Sequence, residues 1–214
     1  MDYNNIYKKY PSYFGTVPDK LLVKFYDKII INNPVLDIGA GQGRNGLFLA
    51  GKGFKVEMLD QSHTAVESIK KVAAETNFTV KVIQSNFEDF NPGSKIYSAI
   101  LVFGIIQESS HKSIDQLINK IDLWTNTGSM VFITAFSTLD PACQDTTANW
   151  KNIGKNSFTN AEGEIKTFLE PDEVLNLFKK FQVVYHWEGL GPGHTHSDGL
   201  THCHGRIEAV LKKK

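Results

Sequence analysis

The fold is decided by residues 35–45, which read Val-Leu-Asp-Ile-Gly-Ala-Gly-Gln-Gly-Arg-Asn. The first four residues are apolar enough for a short buried strand, and residues 44–51 have the spacing of a helix. Because the intervening glycines lack a Cβ, their backbone can approach a ligand closely. The amino terminus of the following helix adds unpaired N–H groups and a partial positive charge. The stretch therefore predicts a turn that holds an anionic group, either a pyrophosphate or a carboxylate.

Two ligand types fit this turn. Residues 41–46, Gly-Gln-Gly-Arg-Asn-Gly, satisfy the six-residue dinucleotide pattern, which is a weak match by itself. In the other frame, Asp37 precedes three alternating glycines, where a carboxylate suits a ligand ammonium group and would repel a pyrophosphate. A ligand with both an ammonium and a carboxylate is an amino acid, and S-adenosylmethionine has such an end. Asp60 closes the next predicted strand and can accept hydrogen bonds from ribose hydroxyls, so it predicts a nucleoside without choosing between the two ligands.

The rest of the chain alternates between strand-like and helix-like segments. Predicted strands cover residues 34–38, 55–60, 79–83, 98–103, 129–136, 182–187 and 206–211. Predicted helices cover residues 18–31, 44–51, 64–76 and 171–180, and a further helix is capped by Ser113. This alternation favours a parallel sheet covered on both faces. Residues 140–166 are the exception, because they are polar and poor in pattern, and they predict a long functional or mobile loop.

Composition limits the class of function. With 41% hydrophobic and 21% charged residues the chain is expected to fold, and its 214 residues favour one domain. The 23 basic and 23 acidic residues balance, so no field of one sign attracts nucleic acid or an anionic membrane. Cys143 and Cys203 lack paired spacing, and no apolar stretch is long enough for a membrane span. We therefore expect a cytoplasmic protein whose partner is a small molecule, and the sequence does not indicate an oligomeric state.

Residues 35–45, together with Asp60, resemble the class I S-adenosylmethionine-dependent methyltransferases. The Gly-Gln-Gly-Arg-Asn run is similar to their tellurite-resistance branch, and the resemblance extends over residues 18–211. It implies a Rossmann-like α/β fold, a seven-stranded and mostly parallel sheet in the order 3-2-1-4-5-7-6, with the last strand antiparallel. It also implies methyl transfer to a small acceptor, namely a thiol, chalcogen oxyanion, amine or hydroxyl. A nucleotide-binding oxidoreductase and a metal-binding protein are the alternatives.

The resemblance also implies a set of cofactor-binding residues. The set is Asp37, Gly39, Ala40, Gly41, Gly43 and Asn45 for the methionine end; Asp60 and Gln61 for the ribose; Asn86 and Phe87 for the adenine; and Phe103 beneath the cofactor. The sequence departs from the family at Asn86, where an aspartate is usual. It departs again at residues 97–98, Tyr-Ser, where an aromatic residue and an aspartate are usual.

A histidine-rich segment, residues 190–205, lies between the last two predicted strands. Five of the seven histidines fall within residues 186–204. One hypothesis is a divalent metal such as zinc, nickel or copper, bound by His194, His196 and His204. A second is that these imidazoles bind an anionic substrate or supply a general base, with His194 and His196 favoured as catalytic residues. The third is an exposed loop without such a role.

Two further features are candidates for the acceptor side of the site. Gln107 and Glu108 follow the fourth strand, near the expected position of the transferable methyl, so Glu108 is a third catalytic candidate. It would otherwise be a residue at a helix start. Residues 1–17 are rich in tyrosine and are predicted to form either a lid over the cofactor or an aromatic arm packed on the sheet.

Overall fold

The computed structural model of the chain describes residues 2–195, 199 and 201–214. The strands are β1 Val35–Ile38, β2 Val56–Asp60, β3 Val80–Gln84, β4 Ala99–Phe103, β5 Met130–Phe136, β6 Lys151–Gly154, β7 Ser157–Thr159, β8 Ile165–Thr167, β9 Phe181–Leu190, β10 His194–Thr195, β11 Thr201–His202 and β12 Gly205–Lys213. The helices are α1 Tyr3–Lys9, α2 Lys20–Phe25, α3 Arg44–Gly51, α4 His63–Thr76, α5 His111–Trp124, α6 Ala142–Asn149 and α7 Glu173–Leu177.

A seven-stranded sheet forms the centre of the molecule. Its order is β3-β2-β1-β4-β5-β12-β9, and β12 runs antiparallel to both of its neighbours. The pairings among the first five of these strands are parallel. The fold prediction, including the 3-2-1-4-5-7-6 order and the antiparallel last strand, is confirmed.

Helices cover both faces of this sheet. Strands β1, β2 and β4 are buried along almost their whole length, as expected when both faces are packed. On one face, apolar residues of α5 and α7 contact the sheet, and on the other face those of α2, α3 and α4 do so. The carboxyl ends of β1, β4 and β5 consequently lie at one edge of the sheet. In the described part of the chain, none of the helices has the length and hydropathy that a membrane crossing requires.

The predicted loop at residues 140–166 is wrong. The segment contains α6 and most of a three-stranded antiparallel sheet, β6-β7-β8. Its strands have only three or four residues, which is too short for an alternating pattern to be visible among polar residues. Buried hydroxyls stabilise it: Ser157 and Thr167 form a hydrogen bond of 2.6 Å, and Thr167 also donates to the carbonyl of Ser109 at 2.7 Å.

Several predicted helix limits also change. Helix α2 ends at Phe25 and continues only as a 3₁₀ turn, Tyr26–Lys28, after which the backbone is extended at Ile29. Helix α5 is capped by Ser110 instead of Ser113, since the Ser110 side chain accepts a hydrogen bond from the Ser113 backbone. Helix α7 is shorter than the predicted 171–180. By contrast, α3 has the predicted limits.

Candidate active site

The turn between β1 and α3 requires glycine at alternating positions. Gly39, Gly41 and Gly43 have φ values of 64°, 54° and 89°, in the left-handed region that other residues rarely adopt. A Cβ at Gly39 would collide with the Ile105 side chain, and a Cβ at Gly41 would lie 3.1 Å from the Tyr7 hydroxyl. The turn thus presents bare backbone at the carboxyl end of β1, where open α/β sheets bind ligands.

Asp37 places a buried carboxylate beneath this turn. Its side chain is 2% exposed, and among the described residues its Oδ2 has no hydrogen-bond partner. Burial raises the pKa of Asp37 from 3.8 to about 7, against the opposing effect of a hydrogen bond from the Gly46 backbone. A buried carboxylate oxygen without a donor is costly, and a ligand ammonium group would supply both the donor and the charge.

Asp60 joins the glycine turn to β2. Its Oδ2 accepts a hydrogen bond from the Gly41 N–H at 2.7 Å, and its Oδ1 accepts one from the Ser62 N–H at 2.8 Å. Burial raises the pKa of Asp60, while these two backbone bonds lower it. A carboxylate offers about four lone-pair positions, so two backbone donors leave capacity for ribose hydroxyls.

The other predicted cofactor residues are less clearly aimed at a ligand. Asn45 is buried, and its Oδ1 accepts a hydrogen bond from the Asp19 N–H at 2.8 Å. The Asn86 amide is engaged with Asp89, whose backbone N–H donates to Asn86 Oδ1 at 2.7 Å. Their predicted contacts with a cofactor therefore stay predictions.

Two predicted aromatic residues pack in the apolar layers. Phe87 is buried in the layer formed with α5 and α7, and Phe103 is half-buried against the opposite layer. Gln61, in contrast, borders a cavity of about 210 Å³, which is lined by Asp2, Tyr3, Asn4, Gln61 and Ser62. The roles of Phe87 and Phe103 near an adenosine also stay predictions.

Residues 2–17, which we call the N-terminal arm, lie over the glycine turn. Gln42 holds the arm there from inside the turn. Its Oε1 accepts a hydrogen bond from the Tyr13 N–H at 2.8 Å, and its Nε2 donates to the Tyr10 carbonyl at 3.0 Å. Arg44 adds a bond of 3.0 Å to the carbonyl of Phe14. The arm therefore lies beside the predicted cofactor site, and its role as a lid stays a prediction.

Glu108 contacts this arm. Its carboxylate accepts a hydrogen bond from the Tyr3 hydroxyl, and burial raises the pKa of Glu108. Tyr3 stacks on Tyr7, with ring centroids 5.5 Å apart, and burial raises the pKa of both phenols. Beside Glu108, the Oε1 of Gln107 is buried and has no partner among the described residues. The 3₁₀ turn after β4 thus brings two polar side chains to the edge of the site.

The half-buried His204 is hydrogen-bonded to a buried aspartate. Its Nδ1 lies 2.9 Å from Asp140 Oδ2, and its ring stacks on Phe136 with centroids 4.4 Å apart. Asp140 is buried, and its two oxygens also accept hydrogen bonds from the backbone of Gly205 and Ala142. This arrangement fixes the ring at the carboxyl end of β5, on the same edge as the glycine turn.

The sequence did not reveal Asp140 as a functional candidate. It lies 64 residues before His204, and the two meet because β12 pairs antiparallel with β5, with Arg206 opposite Phe136. Its position just after a predicted strand was the one available signal. His194 pairs with His202 across β10 and β11, whereas His196 lies outside the described residues. The metal-binding and base roles of His194 and His196 stay predictions.

A family model described as "Tellurite resistance protein TehB" matches residues 7–187. The chain belongs to the TehB family. This membership confirms the resemblance to the tellurite-resistance branch of class I methyltransferases. It also favours the frame in which Asp37 precedes the glycines over the dinucleotide pattern.

A curated TehB relative comes from Haemophilus influenzae (strain 10810) and is described as a probable S-adenosyl-L-methionine-dependent methyltransferase. It is 26% identical over 149 residues, which are 69% of this chain and 49% of the relative. The chain thus spans about half the length of the curated TehB relatives that it matches.

Solved structures have the same fold. The crystal structure of TehB from Haemophilus influenzae has a TM-score of 0.72 at 19% identity, covering 99% of this chain and 67% of that chain. The 1,6-didemethyltoxoflavin-N1-methyltransferase of Burkholderia thailandensis, solved with 1,6-didemethyltoxoflavin and S-adenosylhomocysteine, has a TM-score of 0.65 at 14% identity, covering 91% of this chain and 76% of that chain. At these identities the likeness shows the fold alone.

Proposed function

We propose that this chain transfers a methyl group from S-adenosylmethionine to a small-molecule acceptor. The proposal depends above all on Asp37, a buried carboxylate with an unpartnered oxygen among the described residues, beneath a glycine turn. An ammonium group would pair with that carboxylate, whereas a pyrophosphate would be repelled. The description of the Haemophilus influenzae relative supports the same donor.

The residues around the turn fit the donor. Asp37 would hold the ammonium group, and the N–H groups that begin α3 would hold the carboxylate. Asp60 would accept the ribose hydroxyls with the lone pairs that Gly41 and Ser62 do not use. When bound, the donor supplies an activated sulfonium methyl. The protein then has to exclude water and to align the acceptor. The N-terminal arm would exclude the water.

His204 is the residue that we assign to the acceptor proton. A thiol or hydroxyl acceptor must lose a proton as it takes up the methyl group, and an ammonium acceptor must lose one beforehand, because only the neutral amine has the lone pair that forms the bond. Asp140 orients the imidazole and would stabilise the positive charge that the ring gains on taking this proton. Gln107 and Glu108 would orient the acceptor from the neighbouring strand end. His194 and His196 remain further candidates for the same role.

The proposed acceptor is a small thiol, chalcogen oxyanion, amine or hydroxyl compound. The small acceptor named for the Burkholderia thailandensis methyltransferase supports this class. A cytoplasmic location, and the absence of nucleic-acid and membrane partners, stay predictions from the balanced charge and the composition.

Titration calorimetry tests the donor. S-adenosylhomocysteine should bind the wild-type protein, and Asp60→Asn should weaken it at least about tenfold, because a charged hydrogen-bond acceptor is lost. Asp115→Asn, on the exposed face of α5, is the matched control and should bind like the wild type. Binding of NAD in place of S-adenosylhomocysteine would contradict the proposal. A methyl-transfer screen with thiols, chalcogen oxyanions, amines and phenols would then identify the acceptor.

A further inference from the structure

We propose that Asp172, His186 and Glu188 form a binding site for a divalent transition-metal ion, separate from the cofactor site. Each side chain offers one ligand atom, and the three atoms lie within 4.8 Å of one another. Among the described residues, no other group of three histidine, cysteine or carboxylate side chains is arranged so that it could hold one ion in this way. This site differs from the one that the sequence suggested, which uses histidines of the histidine-rich segment.

The backbone holds two of the ligands rigidly. His186 and Glu188 are alternate residues of β9, so their side chains lie on one face of the strand. Both are paired with β12, His186 opposite Ala209 and Glu188 opposite Ile207. Their side chains are 19% and 14% exposed, so a bound ion would be partly shielded while solvent could still complete its coordination.

Asp172 supplies the third ligand from the residue before α7. Its backbone N–H donates to the Glu188 carboxylate, at 3.1 Å and 3.3 Å to the two oxygens, which fixes this loop against β9. The Asp172 carboxylate makes no capping bond to its own helix. The residue is exposed, so its side chain can rotate towards the other two ligands.

One pair of ligand atoms already has a spacing that suits a first-row ion. His186 Nε2 and Glu188 Oε1 are 2.9 Å apart, where they form a hydrogen bond that a bound ion would replace. Adjacent ligands of an ion with bonds of about 2.1 Å lie roughly 3.0 Å apart in octahedral geometry and roughly 3.4 Å apart in tetrahedral geometry. One imidazole and two carboxylates favour zinc, manganese, cobalt or nickel over magnesium and calcium, which prefer oxygen ligands.

Electrostatics also favours a cation here. The carboxylates of Asp172 and Glu188 repel each other, and the ion pair that the described chain gives Glu188 is with His186, another of the three ligands. A divalent ion between them would remove this repulsion. The site lies on the edge strand, four strand positions from β1, or about 19 Å at about 4.8 Å per strand. It therefore cannot share an ion with the glycine turn.

Zinc titration of metal-stripped full-length protein tests the site. Calorimetry should show one zinc bound that His186→Gln and Glu188→Gln each weaken at least tenfold, with magnesium failing to compete. Zinc should also raise the melting temperature of the wild type, because the assembled site exists only in the folded protein, and this rise should shrink in both variants. His111→Gln, at the start of α5, is the matched control and should retain zinc binding.

Two outcomes would overturn the proposal. One is that the wild type shows no zinc binding up to millimolar concentration. The other is zinc binding that survives His186→Gln and Glu188→Gln but is lost in His194→Gln. That result would assign the ion to the histidine-rich segment. Circular dichroism of each variant shows whether it is folded, so that a folding defect is not mistaken for loss of the metal site. These readouts do not depend on methyl transfer, so they are independent of the proposed function.

Discussion

Asp37 and Asp60 form a pair of buried carboxylates at the start of the site, and burial raises the pKa of each. Asp60 is satisfied by two backbone N–H donors, whereas Asp37 retains an oxygen without a partner among the described residues. The two residues are therefore suited to different parts of one ligand. Asp37 needs a cationic donor, and Asp60 can add neutral hydroxyl donors to the bonds that it already makes.

The affinity for S-adenosylhomocysteine should depend on pH through Asp37. Its pKa of about 7 means that the ionised form, which binds an ammonium group, gains population as the pH rises towards 7. The association constant should therefore rise by up to about tenfold per unit from pH 5.5 to 7 and level off above it. Calorimetry across this range measures the profile. Asp37→Asn should bind more weakly at every pH and lose this rise, and a wild-type affinity independent of pH would contradict the assignment.

His204→Gln should separate chemistry from donor binding. If the imidazole takes the acceptor proton, kcat for a protonated acceptor should fall roughly 10² to 10⁴-fold, while the Kd for S-adenosylhomocysteine stays within about twofold. Asp140→Asn should lower kcat in the same direction, because the ring loses its orienting carboxylate. Rates measured with a thiol acceptor across pH 6 to 9 provide the check. An unchanged kcat and pH profile in His204→Gln would remove this residue from the mechanism.

At the residue scale, the sequence predicted what is local. Asp37, the glycines and Asp60 occur in a fixed order around one turn, so their types and spacing indicate their chemistry. Asp140 could not be found in this way, because its partner is brought to it by strand pairing between distant segments. The same reason hides the Tyr3 and Glu108 pair, whose members are 105 residues apart.

The N-terminal arm is the element that we expect to control access to the predicted cofactor site. It is attached to the glycine turn by Gln42 and Arg44, and to the start of α4 by Asn4, whose Oδ1 accepts a hydrogen bond from the Ser62 hydroxyl at 2.8 Å. Tyr3 adds its hydrogen bond to Glu108. Because these contacts are separate from the hydrogen bonds of the sheet, a ligand can enter or leave when they break while the sheet stays intact.

Gln42→Ala should loosen the arm. Two hydrogen bonds to the arm backbone are lost, so S-adenosylhomocysteine should dissociate several-fold faster, and trypsin should cleave more rapidly at Lys8 and Lys9. Stopped-flow dissociation and limited proteolysis measure these effects. Gln116→Ala, on the exposed face of α5, should behave like the wild type. Equal dissociation rates for the wild type and Gln42→Ala would show that the arm does not control release.

Helices and strands could be predicted where the glycines at their ends and their hydrophobic pattern indicate the same limits. Helix α3 begins and ends at the predicted residues because glycines flank it, and the central strands stand out as short apolar runs. The β6-β7-β8 sheet was missed because its stability comes from buried hydroxyl pairs and a buried Phe158, features that a short polar segment does not display.

At the scale of the whole molecule, the sheet order gathers the site from distant parts of the chain. The carboxyl ends of β1, β2, β4 and β5 bring together the glycine turn, Asp60, Glu108 and Phe136, and the antiparallel β12 delivers His204 to the same edge. Strand alternation predicts the parallel sheet. The order of the strands could be predicted only through the family resemblance, because alternation alone allows several orders.

Burial of the ionised Asp37 carboxylate should lower the free energy of unfolding of the ligand-free protein. Its folded pKa of about 7 exceeds the value of about 3.9 in an unfolded chain, so the folded state binds the proton more tightly. This group's contribution to stability is therefore greatest below about pH 4 and declines as the pH rises towards 7. Asp37→Asn should raise the melting temperature by several degrees at pH 8 and by less at pH 5. Calorimetry without ligand tests this, with Asp115→Asn as the unchanged control.

The antiparallel pairing of β12 with β5 brings His204 back to the edge where the earlier strands end. The roles proposed for the site therefore belong to separate parts of the chain. The residues proposed for donor binding, from Asp37 to Phe103, all precede β5, whereas the Asp140 and His204 pair follows it. Chimaeras joined after β5 should therefore exchange the proposed base and its orienting carboxylate between related methyltransferases, while Gln107 and Glu108 stay with the donor residues. Natural recombination at the same boundary would let a lineage change this part of the acceptor site without rebuilding the donor site.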